Sequence, residues 1–290
     1  MRIIQSVLGT VGLLVVVGAC SSDPENEQTC GSPGTRCADP STIPNEDAPM
    51  GEDGSVVDGS MDASTGEAAV VPGGRFTTLP PGSTLPSDTD CALRVRKSTE
   101  LRADNVGPNA VRGTSPHAKI PRVTGDFVGT TDEILQWAAC KWGIDEDLVR
   151  AQAAKESYWH QSAKGDLNGD QNACYPSLRT SNGAQCPESV GILQVRYLYH
   201  TDAFKDGNAL LSTAYNADYT YAVWRSCFEG KETWLNQAEK VGTYAAGDAL
   251  GCLGVWFSGR WRVPAAETYI QAVLDYQTQK IWTTQNFTNG

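Results

Sequence analysis

Glu156 lies in the run Ala153-Ala154-Lys155-Glu156-Ser157-Tyr158-Trp159, 35 residues ahead of Gly191-Ile192-Leu193-Gln194-Val195. Gly143 stops one helix and Asp145 can cap the next, after which Leu148, Val149, Gln152, Ala153 and Glu156 recur on one helical face. A carboxyl at the C-terminal end of a helix meets the negative pole of the backbone dipole, and apolar neighbours strip it of water. Both effects favour the protonated form, as needed by an acid that gives a proton to a leaving oxygen near neutral pH. The plainer reading is a solvated or ion-paired helix end, with Lys155 adjacent.

A second group of oxygen-bearing side chains follows in Asp166-Leu167-Asn168-Gly169-Asp170-Gln171-Asn172. Asp166, Asn168 and Asp170 match the first half of a calcium-binding loop. Gln171 stands where that loop needs glycine, however, and Ser177 where it needs glutamate. A plain turn rich in Asn and Asp explains the run without a cation, and no cofactor is expected. The nine cysteines contain no Cys-x-x-Cys pair and the three histidines are scattered, which disfavours zinc.

Capping signals place the elements that must carry these groups. Thr130 and Glu133 form a capping box, and Ile134, Leu135, Ala138, Ala139 and Trp142 give a helical stripe ending at Gly143. The Glu156 helix follows, then a long polar loop over 160–188, with any short strands expected between 160 and 200. Further helices are expected near 208–228, 231–240 and 264–282. The last opens on Pro264 and carries Ala265, Tyr269, Ala272, Val273 and Tyr276 on one stripe. Residues 91–129 show no clear period and read as an irregular N-terminal extension of a domain spanning 130–290.

Residues 1–19 read as a lipoprotein signal. Arg2 precedes an apolar run from Val7 to Val17 that is short for a membrane span, and Val17-Gly18-Ala19-Cys20 has the small-residue form of a lipobox. Cys20 would then carry the acyl chains that hold the protein to a membrane. Residues 20–90 read as a disordered acidic linker. Span 21–90 holds 13 acidic and 2 basic residues, against 21 and 20 in 91–290, so nearly all of the net charge of −11 belongs to the linker. The folded part is near neutral and has no basic stripe, which argues against nucleic acid as a partner. All eight Trp and ten Tyr lie beyond position 130, where the core must be.

Cys20 aside, eight cysteines remain, the even number that disulfides in an exported protein require. Proximity suggests Cys30–Cys37, Cys91–Cys140, Cys174–Cys186 and Cys227–Cys252. The expected location is the cell envelope, either the periplasmic face of an outer membrane or the outer face of the cell membrane. A monomer is expected.

Glu156-Ser157 with Tyr158-Trp159 behind it, Gly191-Ile192-Leu193-Gln194-Val195, and Ala214-Tyr215-Asn216 with Tyr221 following resemble, in order and spacing, the soluble lytic transglycosylase (SLT) domain of the lysozyme superfamily. The resemblance covers about 130–280. A fourth block departs: where the family has Ala-Tyr-Asn-Ala-Gly, this chain has Val255-Trp256-Phe257-Ser258-Gly259, with Trp256 in the tyrosine's place and Phe257 in the asparagine's. Tryptophan can stack on a sugar ring but has no hydroxyl to hold the acid's proton.

The resemblance implies a mostly α, lysozyme-like domain with short strands or loops beside a cleft. It also implies a lytic transglycosylase acting on peptidoglycan glycan strands. Glu156 would serve as the single acid and base, with Ser157, Gln194, Asn216, Tyr221 and Trp256 binding substrate. Structural roles stay open beside these: Ser157 bonding back to the main chain, Gln194 tying loop to helix, Asn216 and Tyr221 in the core. A lysozyme- or chitosanase-like hydrolase of the same fold is the second reading. It would use a further carboxylate roughly 6.5–9.5 Å from the acid, for which Asp166, Asp170 and Glu188 are candidates. A non-catalytic wall-binding protein is the third, motivated by Trp256 and Phe257.

Overall fold

Thr130 accepts a hydrogen bond from the Glu133 amide while the Glu133 carboxylate takes the Thr130 amide, so the expected capping box starts a helix at the expected place. In the computed structural model this helix, α3 (Thr131–Trp142), is preceded by α1 (Asp88–Arg94) and α2 (Val106–Asn109). After it come α4 (Glu146–Ser157), β1 (Lys164–Asn168), β2 (Cys186–Val190) and β3 (Val195–Arg196). The chain continues through α5 (Asn208–Leu211), α6 (Thr213–Phe228), α7 (Ala249–Ser258), α8 (Pro264–Gln279) and α9 (Gln285–Thr288). The structure describes residues 75–99, 102–113, 116–237 and 243–288. The lipobox, Cys20 and the Cys30–Cys37 pair lie outside the described residues.

The described part is mostly α, as expected, with one three-stranded antiparallel sheet of order β1-β2-β3 inside 160–200. Buried helix α6 packs against α3, while α8 packs against both α4 and α7. Where α3 meets α6, the wholly buried Lys141 ammonium lies 2.8 Å from Asp218 and 2.7 Å from Asp88 of α1, and Trp142 Nε1 donates to Asp218 at 2.7 Å. A buried cation is tolerated only with such partners.

Three expectations are corrected. First, residues 75–90, placed in the linker, are ordered on the domain: Leu79 N donates to Gly143 O, Glu146 N to Phe76 O, and the Arg225 guanidinium to the Leu79 and Pro80 carbonyls. These are backbone contacts, which composition does not reveal. Second, the helix expected at 231–240 is a 3₁₀ turn at Thr233–Asn236. Third, α7 occupies residues 249–258, where no helix was expected. On α8 the buried face is Ala266, Tyr269, Ile270 and Val273, while Ala265 is exposed.

Disulfides Cys91–Cys140, Cys174–Cys186 and Cys227–Cys252 are formed as proximity suggested. They join α1 to α3, close the loop between β1 and β2, and join α6 to α7. Three disulfides are the mark of an oxidising, extracytoplasmic compartment. Among the described residues no helix is long and apolar enough to cross a membrane.

Candidate active site

Asp145 caps α4 by accepting from the Leu148 amide at 2.8 Å, and the helix runs buried from Glu146 to Ala154. It ends at Tyr158, whose backbone is left-handed at φ 51°, followed by Trp159 at φ 67°. Glu156 therefore occupies the last turn, at the negative pole of the helix. The residue as a whole is half-buried, and its carboxyl, withdrawn from water, receives the hydroxyl of Tyr269 from α8 in a short hydrogen bond to Oε1.

Desolvation is the main force on this group and raises Glu156 from 4.5 to about 7. The Tyr269 bond and Lys155 act in the opposite direction, while the negative charge of Asp166 pushes it further up. At neutral pH the side chain is thus divided between acid and carboxylate, as a group that must give and retake a proton requires. Tyr269 is itself buried, and burial together with the Glu156 charge raises it well above the usual phenol range, so it stays a neutral donor. Gln152, one turn before Glu156, faces the same hydroxyl.

The second motif is a buried loop whose main-chain groups are taken up by surrounding side chains. Gly191 turns at φ 84° with Asn216 Nδ2 so close that any Cβ there would strike it. Gln161 accepts from the Ile192 amide at 3.0 Å and Asn216 from the Leu193 amide at 3.0 Å. Ser157 Oγ donates to Ile192 O at 2.8 Å, and Trp256 Nε1 to Leu193 O at 3.0 Å. Three residues expected to bind substrate, Ser157, Asn216 and Trp256, are therefore clamps on this loop.

Asn216 is fully buried, also donating to Val190 O and Ala209 O, and Tyr221 is buried with its hydroxyl on Val149 O at 3.1 Å. Both take the core position that the sequence left open for them beside a ligand contact. Tyr221 still feels the Glu156 charge and so forms part of the acid's surroundings. Trp256 remains half-buried, stacked at 5.3 Å on His200, which burial lowers to about 4 and keeps uncharged.

Gln194 leaves this loop at φ 50°, its amide donating to Gly191 O at 2.9 Å and its Oε1 set against Gly165 of β1. The next residue, Asp166, is exposed, left-handed at φ 52° within its strand, and held by a short hydrogen bond from buried Ser189 of β2. Four non-glycine residues in a sparsely populated backbone region, Tyr158, Trp159, Asp166 and Gln194, thus stand on the segments that adjoin the acid.

The other carboxylate candidates are engaged elsewhere. Burial alone would raise Glu188, but bonds from Arg196 and Asn168 bring it below the ordinary value. Asp170 caps the Asn172 amide at 2.9 Å, and Asn168 Oδ1 accepts from the Asp170 amide. These turns account for the run that resembled half a calcium loop, and among the described residues no cluster of three His, Cys, Asp or Glu side chains is placed to hold a metal.

Tyr269 is the partner of Glu156 that sequence reasoning misses. In the sequence it is one member of an apolar stripe, although a buried phenol needs a hydrogen-bond partner. Beside it, Phe257 of α7 lies flat on the Tyr269 ring, centroids 4.7 Å apart and planes within 4°.

Fold and site together describe an exported helical domain with one carboxylic acid tuned to neutral pH beside a small sheet. The chain matches no known protein family, curated protein or solved structure.

Proposed function

We propose that this protein is an envelope enzyme that cleaves β-1,4 glycosidic bonds of peptidoglycan, as a lytic transglycosylase with a lysozyme-like arrangement. Its anchor would be a lipidated Cys20, with the acidic segment ahead of the domain providing reach toward the wall. The observation that carries the reading is Glu156, raised to about 7 by burial and held by the Tyr269 hydroxyl. The helical domain, with its small antiparallel sheet next to the acid helix, suits the same reading.

In the reaction, the Glu156 O–H protonates the oxygen linking N-acetylmuramic acid to N-acetylglucosamine. The bond from that oxygen to the anomeric carbon breaks and the leaving sugar departs as an alcohol. Glu156, now a carboxylate, takes the proton from the 6-hydroxyl of the muramic acid residue as that oxygen bonds to the anomeric carbon. A 1,6-anhydro ring forms and Glu156 is again protonated, so no water is consumed. Tyr269 donates to the carboxylate in the intermediate state and keeps it aimed.

A hydrolytic outcome is the second reading, favoured by one observation: the charge of Asp166 reaches Glu156, and Ser189 fixes its carboxylate. Asp166 would then activate a water on the opposite face of the sugar. Mass spectrometry of digested sacculi separates the two. The proposal expects 1,6-anhydromuramic ends that vanish with Glu156→Gln. Reducing ends alone would replace it with the hydrolase reading, and intact sacculi would refute both.

A further inference from the structure

Phe257 sits in the last turn of α7, which Gly259 terminates in a left-handed cap. It is 55% exposed, yet its ring is fixed by the parallel stack on Tyr269. One face is covered by the tyrosine that bonds Glu156, and the rest of the side chain is largely open to solvent. Single exposed apolar side chains are ordinary on protein surfaces. This one differs in being held rigidly on the acid's own partner, while the adjacent Trp256 is pinned to Leu193 O.

We infer that Phe257 is the stacking platform for the sugar ring next to the bond that is cut. This rests on the reading of Glu156 as a glycosidic acid, since continuity from Phe257 through Tyr269 to Glu156 is what selects the occupant. A β-linked hexopyranose presents its axial C–H bonds on one flat face, and an aromatic ring, negative over its centre, attracts that face. Phe257 is a binding and positioning residue and takes no part in proton transfer.

The test uses the full chain carrying Glu156→Gln, so that sugar is bound but not cut, with chitotetraose as the probe and titration calorimetry as the readout. Adding Phe257→Ala or Phe257→Leu is expected to weaken binding by roughly tenfold, about 1.4 kcal/mol, while Phe257→Trp stays near the parent. Leucine keeps an apolar cover on Tyr269, and thermal unfolding of each variant shows that the fold is retained. Equal binding by the Ala, Leu and Phe forms overturns the inference and leaves the proposed activity standing. The same holds if Phe257→Leu moves only the pH profile of the active enzyme, which would make Phe257 a prop for Tyr269. A Glu156→Gln parent that binds neither chitotetraose nor purified glycan strands sinks the inference together with the activity on which it rests.

Discussion

Replacing Tyr269 by Phe removes a single oxygen atom from the environment of Glu156 and leaves the ring beneath Phe257 in place. The hydroxyl donates to the carboxylate and so favours its ionised form. A hydrogen bond to a charged group contributes about 1.5–3 kcal/mol net. At 1.36 kcal/mol per pH unit, its loss lets the acid keep its proton for roughly one to two units further. The alkaline limb of kcat/KM, which reports the acid in the free enzyme, should lie near 7 in the parent and near 8–9 in Tyr269→Phe, roughly. The plateau rate should fall, because the carboxyl loses the group that aims it. Initial rates of solubilisation of purified peptidoglycan, followed from acid to alkaline pH, measure both. A limb that stays in place, or moves to lower pH, would refute the assignment of Tyr269 as the donor to the catalytic carboxylate.

Asp166→Asn should move the same limb the other way, since its charge raises Glu156. On the transglycosylase reading activity persists, whereas a loss of about a hundredfold or more would make Asp166 a catalytic base. Glu156→Gln should stabilise the protein at alkaline pH. A carboxyl with a raised native pKa has its full contribution to stability below about 4.5 and loses it as pH rises through about 7. Denaturant unfolding should therefore find the Gln variant equal to the parent in acid and more stable by up to about 3 kcal/mol above neutrality. Gly191→Ala should destabilise by about 1–3 kcal/mol from its left-handed backbone alone, and by more from the clash with Asn216, which thermal unfolding would register.

Much of the helical frame was legible because its signals are local. Thr130 with Glu133, Asp145 with Leu148, and Pro264 announce helix starts whose geometry depends on a few neighbouring residues. Glu156 was legible for the same reason, as an acid at the end of a buried face. Helix α7 was not, because Gly251 and Gly254 depress its propensity. Their reason is tertiary: a Cβ on Gly251 would strike the Trp261 ring, and one on Gly254 would come within 2.9 Å of Ala266 and Ile270 of α8.

The division between clamps and ligand contacts was equally hidden. Ser157, Asn216 and Trp256 are polar groups near a motif, and only the fold shows that each meets a main-chain group of the 191–194 loop. Residues 75–90 read as tether because they hold few bulky side chains. They are ordered through their carbonyls and amides, and through Leu79 and Leu85 set against Gly143.

One carboxyl, half protonated at neutral pH because protein has replaced its water, carries the proposed chemistry. Carbon-13 NMR of glutamate side-chain carboxyls, with Glu156→Gln to assign the resonance, reads that proton directly. A midpoint near 7 is predicted, falling when Asp166 is neutralised and rising when Tyr269 loses its hydroxyl. A midpoint at the ordinary carboxylate value, indifferent to both substitutions, would contradict it.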